Sequence, residues 1–452
     1  MTAITALPRY FLVFSVFALI LLPIHAQANP RPIEQVTIAA DEPLSIILMI
    51  GDGMGFEHVE LARLVEEGEA GSLVMQQLTW NASMTTFSAD DPITDSAAAG
   101  TAIATGAKTN KRYIGINTAG YHLETILEYA QTLNKSTGVV STCRVIDATP
   151  ASFMTHVNNR YEFDEIVRQI IEEADVDVLL GGGLDYFSSD NLTTMESNGY
   201  TMVYDRTSMM NVASGRIFGL FADVHMSYEL DRNYANTPSI AEMTNKSIEL
   251  LSQDADGFFL MVEGGRIDLA AHDDDKVRNA LDTIAFDNAV QIALDYVQEN
   301  NNTILIVTAD HETEGLVVLS HDLNSTLPGS VSTHNEKEAV RIERVNNISV
   351  SWTADYHTAT NVPLFGYGSA FEDLPIDTIV DNTNVYFFMK DYYDGNPLSI
   401  VPYTPPATTT TSTTTTTSPT LPAPPLDATI IVIASVSVIV VVVIAVVVFK
   451  KR

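Results

Sequence analysis

Residues 44–53 read LSIILMIGDG, a short apolar run that ends in a glycine-aspartate-glycine turn. An apolar run of this length is typical of a strand that is buried on both faces. The residues that follow, 57–67, carry apolar side chains at helical spacing. The sequence therefore predicts a strand, a tight turn and a helix, with Asp52 in the turn.

The same pattern recurs further along the chain. Apolar runs lie at residues 139–140, 176–180, 258–262 and 304–307, and the last two are followed by Glu263 and Asp310. Buried strands that alternate with helices form a mostly parallel sheet with helices on both faces. We therefore predict an α/β fold. In such folds the functional residues lie beyond the carboxyl ends of the strands.

The composition limits the function. The 452 residues include 57 Asp or Glu against 24 Lys or Arg, which gives a formal charge of −33. A field this negative repels nucleic acids, so we exclude DNA and RNA as partners. Hydrophobic residues make up 46% of the chain, enough to build a core. Cys143 is the single cysteine, which excludes an intramolecular disulfide and an all-cysteine metal site.

Both ends of the chain have the composition of targeting segments. Arg9, an apolar run at 11–22 and the small residues around Ala28 predict a cleaved signal peptide at residues 1–28, with a retained anchor as the alternative. Residues 428–449 carry no charge and predict a transmembrane helix, since about 20 apolar residues span a bilayer. The basic residues 450–452 would then be a cytoplasmic tail. Residues 402–427, rich in Thr and Pro, predict an extended stalk.

These segments leave a folded body at residues 29–401. We expect this catalytic domain to lie outside the cytoplasm, held at the cell membrane by a single C-terminal span.

Several acids and histidines follow the predicted strands. Asp268 and His272 are four residues apart, so on a helix they share one face, as two ligands of one ion must. Asp310-His311 follows another strand, and His357 lies further along the chain. A single acid at a strand end is more often a helix cap or turn residue. Several at one sheet edge favour a metal site, in which imidazole and carboxylate suit zinc and further oxygen ligands suit magnesium.

Ser96 lies where an alanine-rich helix is predicted to begin. The helix N-terminus favours an anion, either a deprotonated serine or the phosphate that it attacks. The alternative is that Ser96 only caps the helix.

Six motifs resemble those of the alkaline phosphatase family and occur in that family's order. Together they extend from about residue 44 to about residue 370. They are residues 50–55 (IGDGMG), 94–102 (TDSAAAGTA), 147–150 (DATP), 263–268 (EGGRID), 309–312 (ADHE) and 357–358 (HT). The resemblance implies that family's three-layer sandwich and hydrolysis of phosphate monoesters through a phosphoserine. Dimers are common in the family, so a homodimer is compatible with it.

The resemblance also implies a role for each matching residue. Ser96 is the implied nucleophile and Arg160 the implied phosphate ligand. Two zinc ions and one magnesium ion are implied. The zinc ligands are Asp268, His272 and His357 for one ion and Asp52, Asp310 and His311 for the other; the magnesium ligands are Asp52, Thr149 and Glu263.

The sequence departs from the family pattern at several positions. Leu269 stands where many members carry a polar or basic residue, which predicts weaker phosphate binding and easier product release. Asp147 stands beside the magnesium ligands where other members have His, and should favour magnesium over a third zinc. His321 and His334 fall in a short segment that leaves no room for a large surface domain. We interpret both as surface residues, with a role in a lid over the substrate as the alternative.

Three alternatives remain at this point. A phosphodiesterase of the same superfamily would be expected to use Thr as nucleophile and to lack the magnesium site. A sulfatase needs a nucleophilic cysteine in a Cys-x-Pro-x-Arg context, whereas Cys143 is followed by Arg144-Val145. An inactive phosphatase head on a surface stalk would be expected to have lost part of the ligand set.

Overall fold

The computed structural model describes residues 43–323, 326–400 and 403. These residues lie in one unit, which ends at Tyr403. The predicted signal peptide, transmembrane helix and basic tail fall outside the described residues, as does the stalk apart from Tyr403. Among the helices in the described ranges, none is both long enough and apolar enough to cross a bilayer.

Strands and helices alternate through most of the described chain. The strands are β1 (Ser45–Ile50), β2 (Trp80–Thr85), β3 (Ser136–Arg144), β4 (Val178–Gly182), β5 (Thr201–Val203), β6 (Ile217–Leu220), β7 (Phe258–Glu263), β8 (Thr303–Thr308), β9 (Glu312–Thr313), β10 (Leu316–His321), β11 (Ile348–Trp352), β12 (His357–Thr358), β13 (Val362–Tyr367) and β14 (Thr378–Asp381). The helices are α1 (Phe56–Glu66), α2 (Ser96–Thr105), α3 (Ile126–Thr132), α4 (Ala148–Met154), α5 (Phe163–Glu172), α6 (Ser189–Ser197), α7 (Arg206–Met210), α8 (Ile240–Leu251), α9 (Arg266–His272), α10 (Lys276–Glu299), α11 (His334–Asn346) and α12 (Thr383–Tyr393).

Ten strands form the central sheet, in the order β14-β2-β13-β8-β1-β7-β3-β4-β6-β5. Only β13 runs opposite to its neighbours, β2 and β8; the other neighbouring pairs of this sheet are parallel. The prediction of an α/β fold around a mostly parallel sheet is therefore confirmed. Two small antiparallel sheets, β10-β11 and β9-β12, are added to it.

The middle of the sheet is its most apolar part. Every residue of β1, β7 and β8 is buried. Because successive side chains of a strand point to opposite faces, these strands are covered on both sides. This is why they are apolar throughout, and why the sequence identified them.

The observed boundaries differ little from the predicted ones. The helix expected at 57–67 runs from Phe56 to Glu66, and the strand expected at 44–50 begins at Ser45. Strands β2, β13 and β14, which complete one side of the sheet, were not predicted. Their residues are only partly buried in places, and β13 contains Pro363 and Gly366, so they lack the continuous apolar run of the central strands.

Candidate metal centre and nucleophile

The three central strands end at the same level. Ile50 of β1 pairs with Glu263 of β7 on one side and with Thr308 of β8 on the other. Asp52 and Asp310 each follow two residues after these strand ends, so their carboxylates meet at one edge of the sheet. Gly53 adopts a left-handed conformation, with φ of 70°, and a Cβ there would lie 2.8 Å from Oδ1 of Asp268. A glycine is therefore needed for the turn and for the close approach of Asp268.

Asp52, Asp310 and His311 form the first cluster of ligand-type side chains. Nε2 of His311 lies 3.4 Å from Oδ1 of Asp52 and 3.3 Å from Oδ2 of Asp310. The Oγ of Ser96 lies 3.2 Å from the same nitrogen. All four residues are buried. The predicted nucleophile is thus in contact with the histidine of this cluster.

Asp268, His272 and His357 form the second cluster. Asp268 and His272 lie on α9, so the predicted helix brings them together: Nε2 of His272 is 3.4 Å from Oδ1 of Asp268. Nε2 of His357 is 3.3 Å from Nε2 of His272 and 3.8 Å from Oδ1 of Asp268. The two clusters adjoin, because the imidazole rings of His311 and His357 stack with their centroids 3.5 Å apart.

The second cluster is oriented by residues that the sequence analysis missed. Nδ1 of His272 donates to Oε1 of Glu314 at 2.9 Å, and Nδ1 of His357 donates to the carbonyl oxygen of Thr94 at 3.0 Å. A histidine that donates through Nδ1 keeps the Nε2 lone pair for a cation. Of these two partners, only Glu314 could have been suspected from the sequence, because it is an acid close to the Asp310-His311 motif.

Burial of like charges dominates the electrostatics of this edge. Burial, and then the charges of Asp310 and Asp268, raise the pKa of Asp52 well above its usual value. Burial raises the pKa of Asp310 to about 7, and the charge of Asp268 adds to this. Burial, followed by the neighbouring imidazoles of His357 and His272, lowers the pKa of His311 well below its usual value.

These carboxylates fit a site for cations. Oδ1 of Asp52 and Oδ2 of Asp310 are buried and accept no hydrogen bond from the described residues. Buried carboxylates without donors are costly unless a cation neutralises them. Asp52-Asp310-His311 and Asp268-His311-His357 each place their ligand atoms within 4.8 Å of one another, and nitrogen and carboxylate ligands of this kind suit zinc.

An oxygen-rich set lies at the end of β7, the strand next to the one that leads to Asp52. Glu263 is buried at the end of β7 and accepts a hydrogen bond from the Ser141 hydroxyl. Burial raises the pKa of Glu263 to about 8, and the charges of Asp147 and Asp310 contribute to the rise. Thr149, in the first turn of α4, is buried as well. Carboxylate and hydroxyl oxygens without imidazole are the ligands that magnesium prefers.

Asp147 contacts two side chains that the sequence did not predict as its neighbours. The Arg144 guanidinium forms an ion pair with its Oδ1 through two nitrogens, and Nδ1 of His225 lies 3.3 Å from its Oδ2. Ligand atoms of Cys143, Asp147 and His225 lie within 4.8 Å of one another. Asp147 is thus paired with a permanent cation, Arg144, and lies beside two further ligand-type side chains.

Asp95 organises the start of α2. Its side chain accepts a hydrogen bond from the Ala98 amide at 3.1 Å, so the residue that caps the helix is Asp95 and the alternative role of Ser96 as the cap is wrong. Oδ2 of Asp95 also lies 3.3 Å from a guanidinium nitrogen of Arg160. Arg160 is thereby held by the residue that precedes Ser96, with its side chain 21% exposed.

The remaining histidines lie elsewhere. His321 is on β10 and contacts Glu69, and His334 begins α11 and packs against Tyr234. Both are exposed, as expected for surface residues.

The comparisons with known proteins agree with this arrangement. The family model described as alkaline phosphatase matches residues 44–342. Alkaline phosphatase 4 of Bacillus subtilis is 37% identical over 288 residues, which are 61% of this chain and 62% of that protein. Alkaline phosphatase 3 of the same species is 30% identical over 408 residues, 76% of this chain and 88% of that protein.

A solved structure of an alkaline phosphatase is also similar to this chain. It is a histidine-to-aspartate variant of the alkaline phosphatase from the Antarctic bacterium TAB5, described as having Mg bound in the M3 site. It superimposes with a TM-score of 0.65 at 28% identity, over 78% of this chain and 99% of that one. On its sequence and its fold, this chain is an enzyme that belongs to the alkaline phosphatase family.

Proposed function

We propose that this enzyme hydrolyses phosphate monoesters through a covalent phosphoserine on Ser96. The observation that carries the proposal is the position of the Ser96 Oγ, which lies 3.2 Å from Nε2 of His311 at the edge of two adjoining ligand clusters. A serine hydroxyl is a weak nucleophile unless a base or a metal ion activates it. Here the hydroxyl lies at the start of α2, where the helix dipole favours negative charge.

The reaction on this geometry has two steps. The Ser96 Oγ attacks phosphorus, the bond from phosphorus to the ester oxygen breaks, and the proton given up by the Ser96 hydroxyl balances the proton taken up by the leaving alcohol. A water molecule then attacks the phosphoserine, the bond from phosphorus to Oγ breaks, one proton of the water restores the Ser96 hydroxyl, and inorganic phosphate leaves. Arg160, fixed by Asp95, would hold two non-bridging oxygens of the phosphoryl group in both steps.

The proposed cation ligands follow the clusters. Asp268, His272 and His357 would hold one zinc ion, Asp52, Asp310 and His311 a second, and Asp52, Thr149 and Glu263 a magnesium ion. When bound, the ions would lower the pKa of the attacking groups and offset the charge that develops on the phosphoryl oxygens. Asp147 would favour magnesium over a third zinc, which is supported by the TAB5 variant, in which an aspartate that replaces histidine is compatible with Mg in the M3 site.

We also propose that the enzyme works outside the cytoplasm on a membrane tether. The support comes from the sequence of residues 1–28, 402–427 and 428–452, with their signal-like, Thr/Pro-rich and apolar-then-basic compositions. Fractionation of cells, followed by protease treatment of intact cells, tests this location.

The test of the reaction uses the purified full-length protein. Turnover of p-nitrophenyl phosphate, its bis ester and its sulfate is compared before and after EDTA, and after zinc and magnesium are restored. We expect the monoester to be preferred, EDTA to abolish activity, and Ser96→Ala to reduce kcat by at least about a thousandfold, as expected when a nucleophile is removed. Ser214→Ala, at an exposed serine, is the matched control.

Preference for the bis ester would favour the phosphodiesterase alternative. Preference for the sulfate would favour a sulfatase, and no turnover of any substrate in the metal-loaded protein would favour an inactive surface protein. Wild-type activity in Ser96→Ala would contradict the phosphoserine mechanism.

A further inference from the structure

Two exposed tyrosines flank the residues of the proposed catalytic site. Tyr161 follows Arg160 and is 61% exposed, and Tyr356 precedes His357 and is 47% exposed. Exposed aromatic rings beside a functional site offer flat apolar faces on which a planar ligand can stack.

Both tyrosines lie on segments that are fixed to the start of α2. His357 donates to the carbonyl oxygen of Thr94 at 3.0 Å, and Arg160 lies 3.3 Å from Oδ2 of Asp95. Thr94 and Asp95 immediately precede Ser96. Each tyrosine is therefore one residue away from a group that contacts the segment leading into the nucleophile.

Contacts with charged neighbours place the two rings. The Arg160 guanidinium lies 6.0 Å from the centroid of the Tyr161 ring, and Nζ of Lys111 lies 5.8 Å from the centroid of the Tyr356 ring. Both cations pair with aspartates of the segment before Ser96, Arg160 with Asp95 and Lys111 with Asp91. The two rings therefore border the segment that leads into the nucleophile.

Each ring is supported by a neighbouring ring. Tyr356 stacks on His357, with ring centroids 4.0 Å apart and an angle of 7° between the planes. Tyr161 packs edge to face against Phe163, at 6.2 Å and 83°. The backbone is held as well, since the Tyr161 amide donates to Asn159 and the Tyr356 carbonyl accepts from the Glu314 amide. Rings that are already fixed lose little conformational entropy when they bind a ligand.

We propose that Tyr161 and Tyr356 form an aromatic rim that binds the planar ring of the leaving group, so that nucleoside monophosphates are preferred over simple sugar phosphates. This inference rests on the proposed monoesterase function and adds a substrate class to it. The phosphate would be held by Arg160 beside Ser96, and the base of the leaving nucleoside would stack on the rim. Stacking on aromatic side chains suits any base, since every base has a π face.

The experiment compares adenosine 5′-monophosphate with ribose 5-phosphate, which differ by the base. Both present the same primary phosphate ester, so a ratio of their kcat/KM values cancels effects on metal loading, Ser96 and phosphate binding. We expect the wild-type ratio to be about tenfold or more in favour of the nucleotide, a modest value for one stacked base. In the Tyr161→Ala, Tyr356→Ala double variant the ratio should fall to within about twofold of one.

Two further variants separate stacking from other effects. Tyr161→Phe with Tyr356→Phe removes the hydroxyls but keeps the rings, so the ratio should stay near the wild-type value. Tyr204→Ala removes a tyrosine that is 45% exposed next to the edge strand β5, four strands beyond β7, and should also leave the ratio unchanged.

The inference is overturned if the wild-type ratio is close to one, or if the double alanine variant keeps the wild-type preference. Failure of the proposed function looks different, because then neither substrate is hydrolysed. In that case calorimetry on the metal-loaded Ser96→Ala protein decides: the nucleotide must bind more tightly than ribose 5-phosphate, and the two alanine substitutions must remove the difference.

Discussion

At the scale of single residues, the site depends on which nitrogen each histidine presents. His272 and His357 both donate through Nδ1, to a carboxylate and to a backbone carbonyl respectively. A carboxylate partner makes the imidazole a better ligand and fixes its ring, whereas a carbonyl mainly fixes the ring. Glu314 is therefore the neighbour whose loss should affect a bound cation most. It also has a positive φ of 63°, which is uncommon for a residue other than glycine.

The first prediction concerns Glu314. Glu314→Gln should lower zinc affinity by about 10- to 100-fold, because the amide is a poorer acceptor for the His272 N–H than the carboxylate. Zinc titration of the chelator-treated protein, followed by metal content and by activity, measures the change. Glu196→Gln, at an exposed position on α6, is the control. Equal zinc affinity in wild type and Glu314→Gln would show that Glu314 does not support the ligand.

The second prediction concerns Leu269, which is partly exposed on α9 beside Asp268. Leu269→Lys should lower the inhibition constant of inorganic phosphate by about tenfold, the effect of one charge-assisted hydrogen bond. Product release should become slower as a result. Leu269→Met keeps the size without the charge and should leave the constant unchanged. An unchanged constant in the lysine variant would mean that this position does not reach the phosphate.

At the scale of secondary-structure elements, helix starts and strand ends create the site. Helix α2 begins at the nucleophile because Asp95 takes the capping position just before it. The same carboxylate accepts hydrogen bonds from the backbone N–H of Arg112, which has a positive φ of 73°. One side chain thus holds a helix, a turn and the Arg160 guanidinium together.

A third prediction separates these roles of Asp95. Asp95→Asn keeps an acceptor for the helix but loses the charge that holds Arg160. We therefore expect KM to rise roughly several-fold, with little change in the free energy of unfolding. Asp95→Ala should also destabilise the fold by about 1 kcal/mol. Asp205→Ala removes the cap of α7, away from the site, and should affect stability alone. Steady-state kinetics measure KM, and thermal melts measure stability. An unchanged KM in both Asp95 variants would show that Asp95 does not position Arg160 for substrate binding.

Helix α10 provides a fourth prediction. Burial raises the pKa of Asp282 to about 8, although the backbone amide of Glu229 donates to it. The folded protein thus keeps a proton that the unfolded chain releases near the ordinary aspartate pKa of about 4. Between these two values the folded state binds more protons, so the contribution of Asp282 to stability falls as the pH rises.

The expected result is that Asp282→Asn stabilises the protein increasingly from about pH 5 to about pH 9, because the amide carries no charge to bury. Melting temperatures of variant and wild type at each pH measure the difference. Asp295→Asn, at an exposed position of the same helix, should show no such trend. A constant difference between Asp282→Asn and wild type across this range would contradict the argument.

At the scale of the whole molecule, the charge of −33 reflects 57 acids against 24 bases. Asp52, Glu263 and Asp310 lie buried at one sheet edge, where cations would neutralise them. Most of the other acids are exposed, where they repel one another. With the proposed cations bound, that edge would be locally positive together with Arg160, so an anionic ester could still approach the site.

The fifth prediction follows from this repulsion. Salt shortens the screening length from about 10 Å at 0.1 M to about 3 Å at 1 M, so the melting temperature should rise with NaCl over this range and activity should be retained. A neutral osmolyte at matched osmolality is the control for effects unrelated to charge. A melting temperature that stays constant or falls as NaCl is added would contradict this prediction.

Much of the site could be predicted because it is built on the central strands. The runs before Asp52, Glu263 and Asp310 are apolar throughout, since β1, β7 and β8 are buried on both faces. The four-residue spacing of Asp268 and His272 also predicts that their side chains lie close together, because residues four apart on a helix share one face. Strands β2, β13 and β14 could not be predicted, since partial burial leaves them no continuous apolar pattern.

The sequence by itself determined the class of fold, the edge of the sheet that carries the site, and the residue types that meet there. It could do so because hydrophobic periodicity and the direction of parallel strands are local properties of the chain. Only the tertiary structure decided which partners complete the site: Glu314 on His272, Asp95 on Arg160, and the Thr94 carbonyl on His357. These contacts depend on packing and on hydrogen-bond geometry, and no spacing along the chain encodes them.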